Sequence, residues 1–310
     1  MILDGYSASL VVAPTHTDLS YAQERQKEEK HTKQAAFQKR SQPAVTSSGH
    51  KIAVLANVTD VASAQEAKEQ GAEGIGLLRT EFLFKEEAPD FKAQCDAYGA
   101  IFALFEEVTV RTLDVGGDKA LPYIDLPQES NPFLGIRGVR LFKTHPELIE
   151  TQLRAIFSAA QGRTIRLMFP MVATVEEFVE AKRFAQEVAA SYTLDISRVQ
   201  FGMMVEVPSV LFTLKAFDEV VDFYSIGTND LTQYLFATER THPTLSVAPL
   251  SEALWGAIEK ILIETTKPVS LCGEIAAEVE AIPKLITLGI GTLSVSPGRI
   301  ATTKETIRHV

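Results

Sequence analysis

The sequence predicts an α/β protein, a (β/α)8 barrel preceded by a short strand remnant and a linker helix. Three observations carry that prediction. From Lys51 to the end, short apolar runs alternate eight times with segments of helical spacing, the count and length of a (β/α)8 barrel. The apolar runs stop again and again at an ionisable or polar residue, as barrel strands do where their C-terminal ends form a site. No Gly-rich dinucleotide loop follows an early strand, which counts against a doubly wound open sheet.

Residues 1–50 stand apart from this alternation. Ser9–Val12 reads as one strand ending at Ala13-Pro14. A lone strand cannot fold by itself, so residues 1–14 read as the tail of another domain. The span from Thr17 to Arg40 is highly charged with few apolar residues, which predicts a solvated helix joining two domains. Ser41–Gly49 (SQPAVTSSG) is a turn-rich boundary. The expected division is therefore 1–50 for the remnant and linker and 51–310 for the barrel.

Within the barrel the expected strands are Ile52–Ala56, Gly74–Leu78, Val108–Asp114, Thr164–Met168, Phe201–Val205, Phe223–Gly227, Val269–Cys272 and Thr292–Val295. Between them lie expected helices at Val61–Gln70, Phe91–Glu107, Pro146–Gln161, Val175–Ser191, Ser209–Phe217, Leu231–Phe236, Ser251–Thr266 and Glu278–Leu288, with a last one from Arg299.

Composition narrows the function. The chain of 310 residues is 45% hydrophobic, enough for a full core, and its net charge of −10 argues against nucleic acid as a main partner. Two cysteines, Cys95 and Cys272, give no disulfide framework and fit a reducing cytoplasm. No apolar run reaches the ~20 residues of a membrane span, and the N-terminus lacks the basic region of a signal peptide.

The strand ends supply the chemistry. Phe201–Val205 stops at Glu206, and Phe223–Gly227 stops at Thr228, Asn229 and Asp230. Two hard oxygen donors from adjacent strand ends suit a Mg²⁺ ion that keeps positions open for substrate. Either acid alone serves equally well as a helix cap or a surface ion-pair partner. The third loop, Leu113 to Arg140, is unusually long and carries Lys119, Arg137 and Arg140, with Gly116-Gly117 allowing close backbone approach to a ligand. With Arg79, Arg111 and Arg240 it makes a basic cluster in an acidic protein, which points to a small, multiply anionic substrate. Mg²⁺ beside several Arg and Lys side chains is the apparatus of phosphoryl transfer. Cys272, at the end of the seventh strand and the mouth of the barrel, is a nucleophile, a general acid, or a small buried apolar group. Cys95 falls in an outer helix and reads as packing, and the six histidines fall at no ligand spacing.

The stretches GIGLLRTEFLF, RTLDVGGDKALPY, NPFLGIRGVR, GMMVEVP, DFYSIGTNDLTQY and LCGEIA occur in this order. Together they resemble enzyme I of the bacterial sugar phosphotransferase system, the phosphoenolpyruvate–protein phosphotransferase, over residues 51–310 and the preceding linker. The resemblance implies a phosphoenolpyruvate-binding barrel. Arg79, Arg111 and Arg240 would hold the substrate phosphate, supported by Lys119 and Arg137, with Asn229 also on the phosphate. Glu206 and Asp230 would ligate Mg²⁺, and Cys272 would protonate the methylene carbon to give pyruvate. It would have to be protonated at rest, which neighbouring anions would favour. The phosphoryl group would pass to a histidine of a separate domain and then to the carrier HPr, for sugar uptake, and the barrel would dimerise.

The sequence also departs from the pattern. It has no Thr-Ser-His acceptor motif, the stretch after Arg240 (THPTLSVAPLSEA) is short, and the segment after Cys272 reads GEIAAE. The expectation is thus a C-terminal part whose acceptor histidine lies elsewhere. Two other readings use the same pocket: a non-catalytic phosphoenolpyruvate-sensing module, and a barrel like that of pyruvate phosphate dikinase or phosphoenolpyruvate synthase. A Mg²⁺-dependent lyase or aldolase has little use for a cage of phosphate-binding cations.

Overall fold

The computed structural model describes residues 1–4, 9–117, 121–240, 242–248 and 250–310. At the N-terminus β1 (Ile2–Asp4) and β2 (Ser9–Val11) pair antiparallel with each other, so the strand expected at Ser9–Val12 has a local partner. Helix α1 (His16–Gln38) follows, opened by a capping box in which Thr15 and Asp18 satisfy each other's backbone N–H. Its single buried side chain is Ala36, as its charged sequence foretells. A two-residue strand, β3 (Ala44–Val45), then pairs antiparallel with the first barrel strand.

Eight parallel strands form the barrel: β4 (Lys51–Val58), β5 (Ile75–Arg79), β6 (Val108–Arg111), β7 (Ile165–Phe169), β8 (Val199–Val205), β9 (Phe223–Ile226), β10 (Val269–Leu271) and β11 (Thr292–Val295). Each pairs with its sequence neighbour, and β11 closes the ring on β4 with Leu293 opposite Val54 and Val295 opposite Ala56. The strands are near-continuous apolar runs because both faces are covered, the inner by barrel packing and the outer by helices. The outer helices are α2 (Val61–Glu69), α3 (Phe91–Phe102), α4 (Leu141–Thr144), α5 (Pro146–Ala160), α6 (Val175–Ser191), α7 (Leu214–Asp218), α8 (Thr228–Phe236), α9 (Glu252–Glu264), α10 (Ile282–Thr287) and α11 (Ile300–Arg308). On α5 the buried Ile149, Leu153, Ile156, Phe157 and Ala160 recur at three- and four-residue spacing, which turns one stripe to the sheet.

Most of the core lies between the strands and this outer ring. A second, smaller apolar cluster fills the barrel interior: Leu77, Met168, Met204, Phe223 and Cys272. No helix among the described residues is long and apolar enough to cross a membrane.

Several element boundaries differ from expectation, and three of them have a visible reason. The third strand ends at Arg111, not Asp114, because the Leu113 N–H leaves the ladder for the Gln152 side chain of α5 (2.8 Å). The helix expected at Ser209–Phe217 splits into a 3-10 turn, Pro208–Phe212, and α7. The helix expected from Glu278 begins only at Ile282, with Pro283 in its first turn, the part of a helix where the ring costs no hydrogen bond.

The C-terminal helix fastens the segment after α1 to the barrel. Lys304 is buried, and its ammonium donates to the carbonyls of Gly71 (2.7 Å) and Arg40 (3.2 Å) and lies 3.5 Å from Glu73. Arg308 donates to the carbonyls of Lys39, Gln42 and Pro43, and Lys39 pairs with Glu305 (2.9 Å).

Candidate active site

The C-terminal ends of the strands surround a cavity of about 220 Å³. Arg79 enters it from the end of β5, Arg111 from the end of β6, and Arg137 from the long loop between β6 and α4. Glu206 follows β8, Asn229 and Asp230 stand in the first turn of α8, Arg240 follows α8, and Cys272 follows β10. Arg140 of the basic cluster lies elsewhere, pairing with Glu177 (3.2 Å) and donating to the carbonyls of Leu134 and Gly135, but eight of the nine residues to which the resemblance gives a role line one space. The ninth, Lys119, lies outside the described residues.

A ladder of buried ion pairs runs along one wall. Arg111 donates to Glu81 (Nη2–Oε1 2.6 Å) and reaches Asp114 (Nη1–Oδ2 3.1 Å). Arg137 grips Asp114 through Nε and Nη2 (2.9 and 3.1 Å) and Asp230 through Nη1 and Nη2 (3.0 and 3.1 Å). Burial alone would discharge such cations, but for Arg111 the carboxylates of Glu81 and Asp114, and for Arg137 those of Asp114 and Asp230, hold the guanidinium firmly charged. Arg79 has no ion-pair partner among the described residues and is only half-buried.

Glu206 is almost wholly buried, and its Oε1 accepts a 2.7 Å hydrogen bond from the backbone N–H of Met171. Met171 is held at φ +57, uncommon for a residue with a side chain, and this left-handed turn after β7 aims its N–H at the carboxylate. Burial first, then the negative charges of Asp230 and Asp114, push Glu206 up to about 8. Arg111 and Arg137 offset only part of this, and a divalent cation would offset the rest. The donor set fits that ion: oxygen atoms only, from Glu206 and Asp230. No cluster of three or more His, Cys, Asp and Glu side chains that could hold a metal forms among the described residues. Further ligands would therefore come from substrate and water, the usual habit of Mg²⁺.

At the rim, Asn229 and Glu274 exchange two hydrogen bonds of 3.2 Å, and Arg240 lies 3.6 Å from Glu274. Arg240 is half-exposed, so this ion pair is weak and easily given up.

Cys272 lines the cavity and is also deeply set: it is 3% exposed, packed among the interior apolar side chains, with its thiol 3.6 Å from the Ile226 carbonyl. Its pKa is raised, and the main cause is burial; the anion Glu206 adds less. The thiol is protonated at rest, for a different leading reason than the sequence implied.

The glycine pair of the long loop, expected to let the backbone approach a ligand, also shapes the loop itself. Gly116 and Gly117 have φ +114 and +67, and a Cβ on Gly116 would run into the Ile136 carbonyl. The close approach they permit is of the loop to itself, which places Arg137.

Sequence reasoning gave no role to Glu81, Asp114 or Glu274, or to the Met171 backbone. Glu81 sits two residues after Arg79 in RTEF and Asp114 three after Arg111, so their nearness to the arginines was visible in the sequence but their partners were not.

A closed parallel barrel with cations and acids gathered at its strand ends is the architecture of a domain that binds a small anionic ligand. The chain belongs to the family of PEP-utilising enzymes, PEP-binding domain, whose profile matches residues 33–310. It is 40% identical to a multiphosphoryl transfer protein of Rhodobacter capsulatus, over the whole chain and 38% of that protein. It is 36% identical to a phosphoenolpyruvate-protein phosphotransferase of Staphylococcus carnosus, over the whole chain and 56% of that protein. With the phosphoenolpyruvate-protein phosphotransferase of Bacillus subtilis it shares 37% identity over 96% of this chain and 54% of that one. The chain thus spans between about two fifths and a little over half of these relatives.

Proposed function

We propose that this barrel binds phosphoenolpyruvate with Mg²⁺ and catalyses transfer of its phosphoryl group to a histidine of a separate phosphohistidine domain, with release of pyruvate. The observation that carries the reading is the convergence of Arg79, Arg111, Arg137, Arg240, Glu206, Asp230 and Cys272 on one cavity, in a chain whose relatives bear that activity in their names.

In this reading Arg79, Arg111 and Arg240 bind the phosphate oxygens, with Asn229 at the same group and Lys119 and Arg137 in support. Arg111 keeps one bracket of carboxylates and Arg137 another, so both arrive at the substrate already oriented. Glu206 and Asp230 would hold the Mg²⁺. When bound, the ion would neutralise charge on the phosphate and carboxylate oxygens. The bond between phosphorus and the enol oxygen breaks as a phosphorus–nitrogen bond forms on the accepting imidazole. The enolate left behind takes a proton at C3 from the Cys272 thiol, which its apolar surroundings keep protonated. The buried Leu77 and Met204 flank the cavity and keep water from that carbon. A carrier protein then takes the phosphoryl group from the histidine, in the service of sugar uptake, and a barrel dimer in the cytoplasm is part of the same proposal.

Calorimetry tests the reading. Phosphoenolpyruvate binds in the presence of Mg²⁺, and Glu206→Ala removes the Mg²⁺-dependent part of the affinity. No binding with Mg²⁺ present, or binding indifferent to Glu206→Ala, refutes it.

A further inference from the structure

The barrel is stitched unevenly. β10 has three residues and meets β11 at one paired position, Leu271 opposite Leu293. By contrast β11 and β4 pair at four positions, and β7 and β8 at five. The weakest seam therefore flanks the strand that leads into Cys272.

One side chain spans that seam. Asn57, near the end of β4, donates from Nδ2 to the carbonyl of Cys272 (3.0 Å) and to the carbonyl of Ser294 (3.1 Å). Its Oδ1 accepts from the Ser294 hydroxyl (2.7 Å). The two carbonyl partners fix the amide orientation, since only an NH₂ group donates to both. Asn57 reaches this place through a local irregularity: the register of β4 against β5 shifts between Ala56 and Asn57. Such bulges re-aim a side chain, and they concentrate beside active sites. Gly76 leaves the room that Ser294 needs, for a Cβ there would press on the serine side chain.

On its other side Cys272 is held by β9, its N–H donating to the Ile226 carbonyl (3.1 Å). The next residue, Gly273, lies so close to Thr228 that a Cβ would stand 2.9 Å from the threonine Cβ. Cys272 is thus pinned at its N–H by β9 and at its C=O by Asn57. Asn57 does not itself line the cavity.

We infer that Asn57 is a positioning residue for the proton donor: by holding the Cys272 carbonyl across the open seam it sets the height and angle of the thiol under the substrate's C3. This rests on the reading of Cys272 given above, and the test separates the two. Asn57→Asp keeps the shape but loses both donors and sets a carboxylate against two carbonyls. Asn57→Ala removes the tie without adding charge and serves if the aspartate variant does not fold.

Three quantities are read on each folded variant: the rate of Cys272 alkylation by iodoacetamide, the phosphoenolpyruvate Kd with Mg²⁺, and the rate of pyruvate formation with the phosphohistidine domain supplied in trans. Alkylation rises at least tenfold and pyruvate formation falls at least tenfold, while the Kd stays within twofold. A variant that melts lower but alkylates and turns over like the wild type overturns the inference, because its asparagine was then only structural. Cys272→Ala is the control on the underlying reading. If it turns over normally, Cys272 is not the proton donor, and faster alkylation in the Asn57 variants still records the tie. If it is inactive while the Asn57 variants are fully active, the inference fails and the reading stands.

Discussion

At the scale of single residues the site is governed by who neutralises whom. Arg111 and Arg137 share Asp114, and each takes a second carboxylate, Glu81 for one and Asp230 for the other. Removing one partner of such a buried pair leaves an uncompensated charge. Glu81→Ala is therefore expected to lower stability by about 3 kcal/mol, read from urea unfolding. It also weakens phosphoenolpyruvate binding, because Arg111 loses its bracket.

The Cys272 thiol gives a prediction in pH. Its folded pKa is raised, so the reactive thiolate is scarcer than in a free cysteine at every neutral or mildly alkaline pH. Alkylation of Cys272 in the folded wild type stays slower than in unfolded chain at pH 8 and climbs only above the usual thiol range. Peptide mass analysis across pH, which also separates it from Cys95, checks this. Glu206 and Asp230 were legible in the sequence because an apolar run that stops at a carboxylate marks a strand end. The pairing of Glu81 with Arg111 and of Asp114 with Arg137 was not, because each joins residues about 20 to 30 apart in the chain, and no local spacing encodes that.

At the scale of elements, all eight barrel strands were legible in the sequence, since most are short, largely apolar and buried runs set between helical segments. Ends were misjudged where a side chain or a proline intervenes, as Gln152 does after Arg111 and Pro283 does in α10. The long loop was visible as long, but its internal packing was not. Gly138 shows why that packing counts: it sits at φ +58, and a Cβ there would stand 2.8 Å from the Met171 Cβ. Gly138→Ala is expected to destabilise by more than about 1 kcal/mol. It should also weaken Mg²⁺-dependent binding, because it displaces the residue whose N–H holds Glu206; thermal melts and calorimetry report the two effects separately. Thr174, which caps α6 in a reciprocal box with Glu177, is a contrasting case, since it does not line the cavity. Thr174→Ala costs about 1 kcal/mol and leaves phosphoenolpyruvate affinity unchanged.

At the scale of the whole molecule, α1 and the barrel meet at one well-fastened place. Trypsin tests this: sites after Arg25, Lys27, Lys30 and Lys33 lie on the exposed part of α1 and are cut first, while those after Lys39 and Arg40 persist as long as the barrel is folded. Lys304→Met removes the ammonium from under the Arg40 carbonyl, and cleavage at the last two sites then rises towards that of the others. The charged composition made α1 legible as a solvated helix, but its anchor was hidden, because Lys304 lies some 260 residues further along the chain. Helix α1 has 23 residues, so it extends for about 35 Å from that anchor. A spar of that length, clamped at its foot, converts a tilt of about 5° at Lys304 into about 3 Å of travel at Thr15. Whatever rides on the far end is aimed by the footing, and the footing belongs to the barrel's last helix.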